Sequence, residues 1–107
     1  EQDMSIHLEL ARRGAWLEYD SIGCGDKTEN DDFYIQLIQG LLDADLSKHL
    51  LLSQDRGWYD PALPGGGVPR PFTYLTDQFL PKLRSAGVDN TMIDQLTHIN
   101  PFRAFAR

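Results

Sequence analysis

The chain is 107 residues long, 24% charged and 41% hydrophobic, and its 16 Asp and Glu against ten Lys and Arg leave a net charge of -6, a balance that speaks against a nucleic-acid backbone as partner because such binding rests on clustered cations. No apolar run approaches the roughly 18 residues needed to cross a membrane, and no signal-peptide pattern is present, so no membrane partner is expected. Cys24 is the only cysteine, which excludes an internal disulfide and a thiolate metal cluster built from one chain and is compatible with a reducing cytoplasm.

In chain order, Asp3 reads as the cap of a first helix over Met4 to Arg13, with Met4, Leu8 and Ala11 at helical spacing and Gly14 as its stop. His7 lies inside that helix without a second ligand at helical spacing and reads as an ordinary helix-surface histidine. Ala15 to Asp20 alternates, Ala15, Leu17 and Tyr19 on one side and Trp16, Glu18 and Asp20 on the other, which predicts a strand broken by Gly23 and Gly25. Alternation alone leaves open which face points inward. Cys24 has no histidine near it in sequence and reads as a loop cysteine rather than a nucleophile.

Polar residues Thr28 to Asp32 introduce a second helix over Asn30 to Asp43, whose apolar face is Tyr34, Ile38, Leu41 and Leu42. Leu50 to Ser53 then forms a continuous apolar run, the pattern of a parallel strand covered on both faces, and His49 before it reads as structural. The run ends in Asp55. In α/β folds the loops leaving the C-terminal ends of parallel strands build the site, so an acid there is a better candidate for chemistry than one on a helix.

Asp55 to Pro71 is a long proline-rich and glycine-rich loop, and loops beyond about 12 to 15 residues are uncommon inside domains and often functional. Its triplet Gly65-Gly66-Gly67 lacks the lysine and Ser or Thr of a phosphate-cradling motif and reads as a hinge or close turn. A third helix is predicted over Thr73 to Ala86, divided at Pro81 and ended by Gly87. Asp89 caps a short helix to Leu96, and Asn100 with Pro101 forms a cap-plus-first-turn signature for a final turn carrying Phe102 and Phe105.

Read together, Leu50 to Asp60, Gly65-Gly66-Gly67, Phe72-Thr73-Tyr74, Phe79-Leu80-Pro81 and the ending Asn100 to Phe105 resemble the C-terminal end of the phosphotriesterase-related family, within the metal-dependent amidohydrolase superfamily. The resemblance runs from Gly14 to Arg107 and implies an α/β fold of (β/α)8 TIM-barrel type, with Ala15 to Asp20 as the seventh strand. Such a barrel needs about 250 residues. Residues 1–107 are therefore expected to be a C-terminal fragment of one barrel domain, or a processed chain, soluble and cytoplasmic.

The resemblance further implies a catalytic role for Asp55, coordinating one of two divalent metals, zinc by preference, and accepting a proton from the bridging water. The chemistry suits that role, because carboxylate oxygen is a hard ligand and a bound metal lowers the pKa of water to about 7. Trp58, Tyr59 and Asp20 are the expected substrate-binding residues, Asp20 opening the loop Ser21 to Lys27 over the site. Where the family often has histidine after the strand-end aspartate this chain has Ser21, so no proton relay is assigned there. The family's remaining ligands, a His-x-His pair, a carboxylated lysine and two later histidines, have no counterpart here, and this chain alone is expected to be inactive. The implied substrate is a small lactone, ester or phosphotriester, and the implied partner is the remainder of the barrel. The alternative is a homo-oligomer of this chain acting as a non-catalytic interaction module.

Overall fold

The computed structural model of the protein describes residues 3–24 and 29–106. Gly25, Asp26 and Lys27 of the expected loop over the site, and Thr28 at the expected lead-in to the second helix, lie outside the described residues.

Asp3 does cap the first helix, α1 (Met4–Arg12), accepting from the Ser5 amide at 2.9 Å. Strand β1 (Leu17–Tyr19) follows, then α2 (Glu29–Asp43), a short 3-10 turn Ser47–His49 and strand β2 (Leu50–Leu52). The two strands pair in parallel with Leu17 opposite Leu50, Glu18 opposite Leu51 and Tyr19 opposite Leu52. Both are shorter than the sequence pattern predicts. Pairing nonetheless continues past them, as the Ser53 amide donates to the Tyr19 carbonyl at 2.8 Å and the Ile22 amide returns to Ser53 at 3.3 Å.

Burial settles which face of β1 meets the helices. Tyr19 is buried and Leu17 partly so, both against the main core, whereas Trp16, Glu18 and Asp20 are exposed. That core gathers Ile35, Leu37, Ile38 and Leu41 of α2, Leu50 of β2, and Phe79, Leu83, Ile93 and Leu96 from the C-terminal helices. Tyr34 and Leu42, expected on the same face, pack at its margin. His7 is half-buried rather than a surface residue, with Nδ1 2.8 Å from the Tyr19 hydroxyl. His49 stands edge-on to Trp16 with ring centroids 5.0 Å apart, a packing role as expected.

The C-terminal third departs from the sequence reading. Pro81 does not start a new segment: a π-turn, Leu75–Phe79, runs straight into α3 (Leu80–Ser85), and Phe79 and Leu80 both keep right-handed helical dihedrals. The same arrangement recurs where α4 (Asn90–Asp94) passes through a second π-turn, Gln95–Ile99, into α5 (Asn100–Phe105). Each π-turn ends two residues before a proline. Proline lacks an N–H and its ring crowds the carbonyl four residues back, and widening the helix by one residue accommodates both defects without a break. The widened bonds are visible as Leu80 N–H to Leu75 O and Asn100 N–H to Gln95 O.

Asn100 is therefore not a helix cap. It is fully buried, and its Nδ2 donates to the carbonyls of Ser47 at 2.7 Å and Leu50 at 2.8 Å, tying α5 to the start of β2. Phe102 and Phe105, expected to anchor the terminus, are each 72% exposed. Asp89 does cap its helix, accepting from the Met92 amide at 2.8 Å. Among the described residues no helix is long and apolar enough to cross a membrane.

Candidate active site at the ends of the two strands

The loops leaving β1 and β2 converge on a cleft of about 410 Å3 whose lining includes Ser21, Cys24, Asp55, Trp58, Leu63 and Arg70. Asp55 sits three residues beyond the last residue of β2 and has φ of 44°, in the left-handed region. Aspartate is one of the few residues other than glycine that tolerates this region, so the turn suits the residue that occupies it. The chain bends sharply as it leaves the sheet, and Asp55 is exposed and lines the cleft.

The backbone at this point is held from several sides. The Cys24 thiol donates to the Gln54 carbonyl at 3.0 Å, and the Trp58 indole Nε1 donates to the Asp55 carbonyl at 2.9 Å. Gln54 spans to the start of the third helical segment: its Oε1 accepts from the Leu75 amide at 2.7 Å, and its Nε2 donates to the Phe72 carbonyl. Arg56, on the other side of Asp55, donates from Nη2 to the Gly23 carbonyl at 2.5 Å. Sequence reasoning singled out neither Gln54 nor Arg56, although both directly flank the acid.

The glycine triplet is a close turn. Gly65, Gly66 and Gly67 all have positive φ, and the Asp60 amide closes the turn onto the Gly66 carbonyl at 3.0 Å. Gly66 also admits the ring of Tyr59, which lies 2.1 Å from where a Cβ would stand. Tyr59 thus packs on the loop's own backbone.

Of the four residues expected at the site, Asp55 and Trp58 share the cleft. Tyr59 is not among its lining residues, and Asp20 lines a separate groove of about 460 Å3 beside β1, with Ile6, Leu10 and Trp16. There Asp20 accepts from the Ser21 hydroxyl at 3.0 Å. Burial pushes the neighbouring Tyr34 phenol upward, a bond from Ser21 opposes the shift and the Asp20 carboxylate adds to it.

A metal demands more than one donor. Among the described residues no group of three or more His, Cys, Asp or Glu gathers to hold a metal ion, so Asp55 alone does not fit the three or four ligands that a catalytic metal takes. The site as it stands is lined by two aspartates, Asp55 and Asp60, one anchored indole and a strand end held by hydrogen bonds.

A sequence model of the phosphotriesterase family matches residues 1–105. The chain belongs to the phosphotriesterase family. It is 28% identical over 98 residues to the phosphotriesterase homology protein of Escherichia coli K12, covering 92% of this chain and 32% of that protein. Among solved structures it is similar to a resiniferatoxin-binding protein from Rhodobacter sphaeroides, with TM-score 0.79, 33% identity, and coverage of 96% of this chain and 30% of that one. It is also similar to the organophosphorus hydrolase from Deinococcus radiodurans, with TM-score 0.80, 27% identity, and coverage of 99% of this chain and 35% of that one. This phosphotriesterase-family chain therefore spans about a third of the length of the relatives it matches. Its parallel strands and covering helices are βα units of their barrel fold.

Proposed function

We propose that the chain is the C-terminal part of a metal-dependent hydrolase in which activated water attacks a small lactone, ester or phosphotriester. The observation that carries this reading is the placement of Asp55, which leaves β2 in a left-handed turn and opens into a cleft beside Trp58. Family membership supports the hydrolytic class, and a lactone or ester is preferred over a phosphotriester as the broader chemistry.

In this reading Asp55 accepts the proton taken from the attacking water, and its held backbone sets the point from which that side chain leaves the strand end. Trp58 walls the cleft, whereas Asp20 lines the separate groove beside β1 and Tyr59 packs on the glycine turn, so neither is assigned a contact in the cleft. The bound metals, zinc by preference, would supply Lewis acidity and a nucleophile at neutral pH. Their other ligands belong to the remainder of the barrel, because this chain's described residues do not complete a set. A cytoplasmic setting fits a chain with one cysteine.

The test is Asp55→Asn in the intact protein. The change preserves size and removes a negative proton acceptor, so turnover is expected to fall about a hundredfold or more. Retention of wild-type turnover together with full metal content overturns the assignment.

A further inference from the structure

Next to the cleft lies a chain of contacts that the proposed chemistry does not use. Asp31, on α2, is fully buried and takes two donors on the same oxygen, Oδ2: the Tyr74 hydroxyl at 2.7 Å and the Lys82 ammonium at 2.6 Å. The Tyr74 ring in turn lies under the Arg56 guanidinium, whose central carbon is 4.6 Å from the ring centroid. Arg56 reaches on to the Gly23 carbonyl, and Gly23 itself sits so close to Tyr74 that a Cβ would stand 2.2 Å from the ring. One line of contacts thus joins α2, α3, the loop after β1 and the residue that follows Asp55.

Two described contacts set the guanidinium's position. Arg56 Nε is buried without a hydrogen-bond partner among the described residues, an arrangement that native structures seldom keep. The described contacts of this guanidinium are the Tyr74 ring and the Gly23 carbonyl. The ring lies beneath it and the carbonyl ahead of it, and a planar cation suits both demands at once. Tyr74 cannot drift, because its hydroxyl is committed to a buried carboxylate that Lys82 also holds.

We propose that Arg56 is a positioning residue: clamped between the Tyr74 ring and the Gly23 carbonyl, it holds Asp55 in its left-handed turn and so fixes the carboxylate in the cleft. This rests on the hydrolase reading of Asp55. A displacement of about 1 Å at a reacting group can cost about a hundredfold in rate, so loss of the clamp should appear in kcat rather than in substrate binding.

The experiment uses the intact protein, with p-nitrophenyl acetate and δ-valerolactone as probes, and compares Arg56→Met, Arg56→Lys, Tyr74→Leu, Arg56→Met with Tyr74→Leu, and Asp55→Asn. Arg56→Met is expected to lower kcat about ten- to a hundredfold with KM and metal content close to wild type. Arg56→Lys, which can still donate to Gly23 but cannot stack as a plane, should recover part of the loss. The double variant should fall no further than the worse single one, since both changes break the same clamp. Amide exchange in the segment 53–60 should quicken in Arg56→Met, a readout that does not need turnover. Wild-type kcat and unchanged exchange in Arg56→Met, or strictly additive losses in the double variant, overturn the proposal. If Asp55→Asn is inactive while Arg56→Met turns over normally, only the clamp is refuted. If Asp55→Asn is fully active, the hydrolase reading of Asp55 fails first.

Discussion

The side chain of Asn100 donates to the carbonyl of Leu50 at 2.8 Å, so the last helix grips the first residue of the strand that delivers Asp55. The same amide reaches the Ser47 carbonyl, closing the turn that feeds the strand. Fixing the strand at its start and the acid just beyond its end gives the site a rigid support about one strand long.

Asn100→Leu keeps the number and branching of side-chain heavy atoms, though its methyl groups are bulkier, and removes both donated bonds, leaving two backbone carbonyls without that partner in a buried region. Leaving a buried polar group unsatisfied costs about 1 to 3 kcal/mol. Part of this is offset because Asn100 Oδ1 is itself buried and unpaired, and leucine removes it. Urea unfolding of the intact protein should show a loss of about 1 to 3 kcal/mol, and a change below about 0.5 kcal/mol, the scale of neutral surface substitutions, would deny Asn100 its bracing role.

This residue also shows what sequence can and cannot disclose. Asn followed by Pro is the local pattern of a helix start, and nothing local distinguishes it from Asn and Pro inside a helix that has widened by one residue. The deciding partners, Ser47 and Leu50, lie about 50 positions away. The strands, α1 with its Asp3 cap, α2 and the glycine turn were legible because each is written in periodicity or in residues that demand a particular backbone. Asp55 was legible as the end of an apolar run. Gln54, Arg56 and Tyr74 were not, since their roles consist of contacts between the loop after β1, the end of β2 and the segment that enters the π-turn before α3.

Alkaline pH should loosen the fold around the buried carboxylate. The hydrogen bond to Asp31 raises the Lys82 ammonium above its ordinary value, and burial raises the Tyr74 phenol. Burial likewise pushes Tyr19 up to about 12. In each case the folded state holds its proton more tightly than the unfolded chain does. The stabilisation is therefore complete below the ordinary lysine and tyrosine values of 10.5 and 10.0, and is lost as pH rises through the raised ones. The thermal midpoint of the intact protein should fall from about pH 10 upward. Lys82→Met should flatten part of that slope, and a slope identical to wild type would show that Lys82 does not contribute to it.

The isolated 107-residue chain is expected to associate or to remain partly unfolded. Among the described residues its sheet has two strands, each with one edge unpaired there, and the groove beside β1 exposes Ile6, Leu10 and Trp16 at 38 to 40%. Unpaired edges and apolar faces of this kind recruit further chain. Light scattering should report species larger than a monomer or a transition without cooperativity. A monomer that melts cooperatively would mean that these elements are sufficient by themselves.

Trp58 is the residue expected to set substrate preference, and its structure separates two ways in which it can act. The ring is 65% exposed and lines the cleft with Asp55, offering an apolar wall to an acyl chain or leaving group. Its Nε1 meanwhile donates to the Asp55 carbonyl, so removing the whole side chain both opens the wall and frees the acid's backbone. Trp58→Phe keeps most of the wall and deletes only the donor; Trp58→Ala deletes both. If the wall selects substrates, Trp58→Ala in the intact protein should change relative kcat/KM among lactones or esters of different chain length by a factor of about 10 to 200, the worth of one apolar contact. Trp58→Phe should retain the wild-type order of preference while losing turnover evenly, with metal content intact in both. An even loss across every substrate in Trp58→Ala, matched by a lower thermal midpoint, would assign the indole to holding the loop and place the selecting residues elsewhere in the barrel.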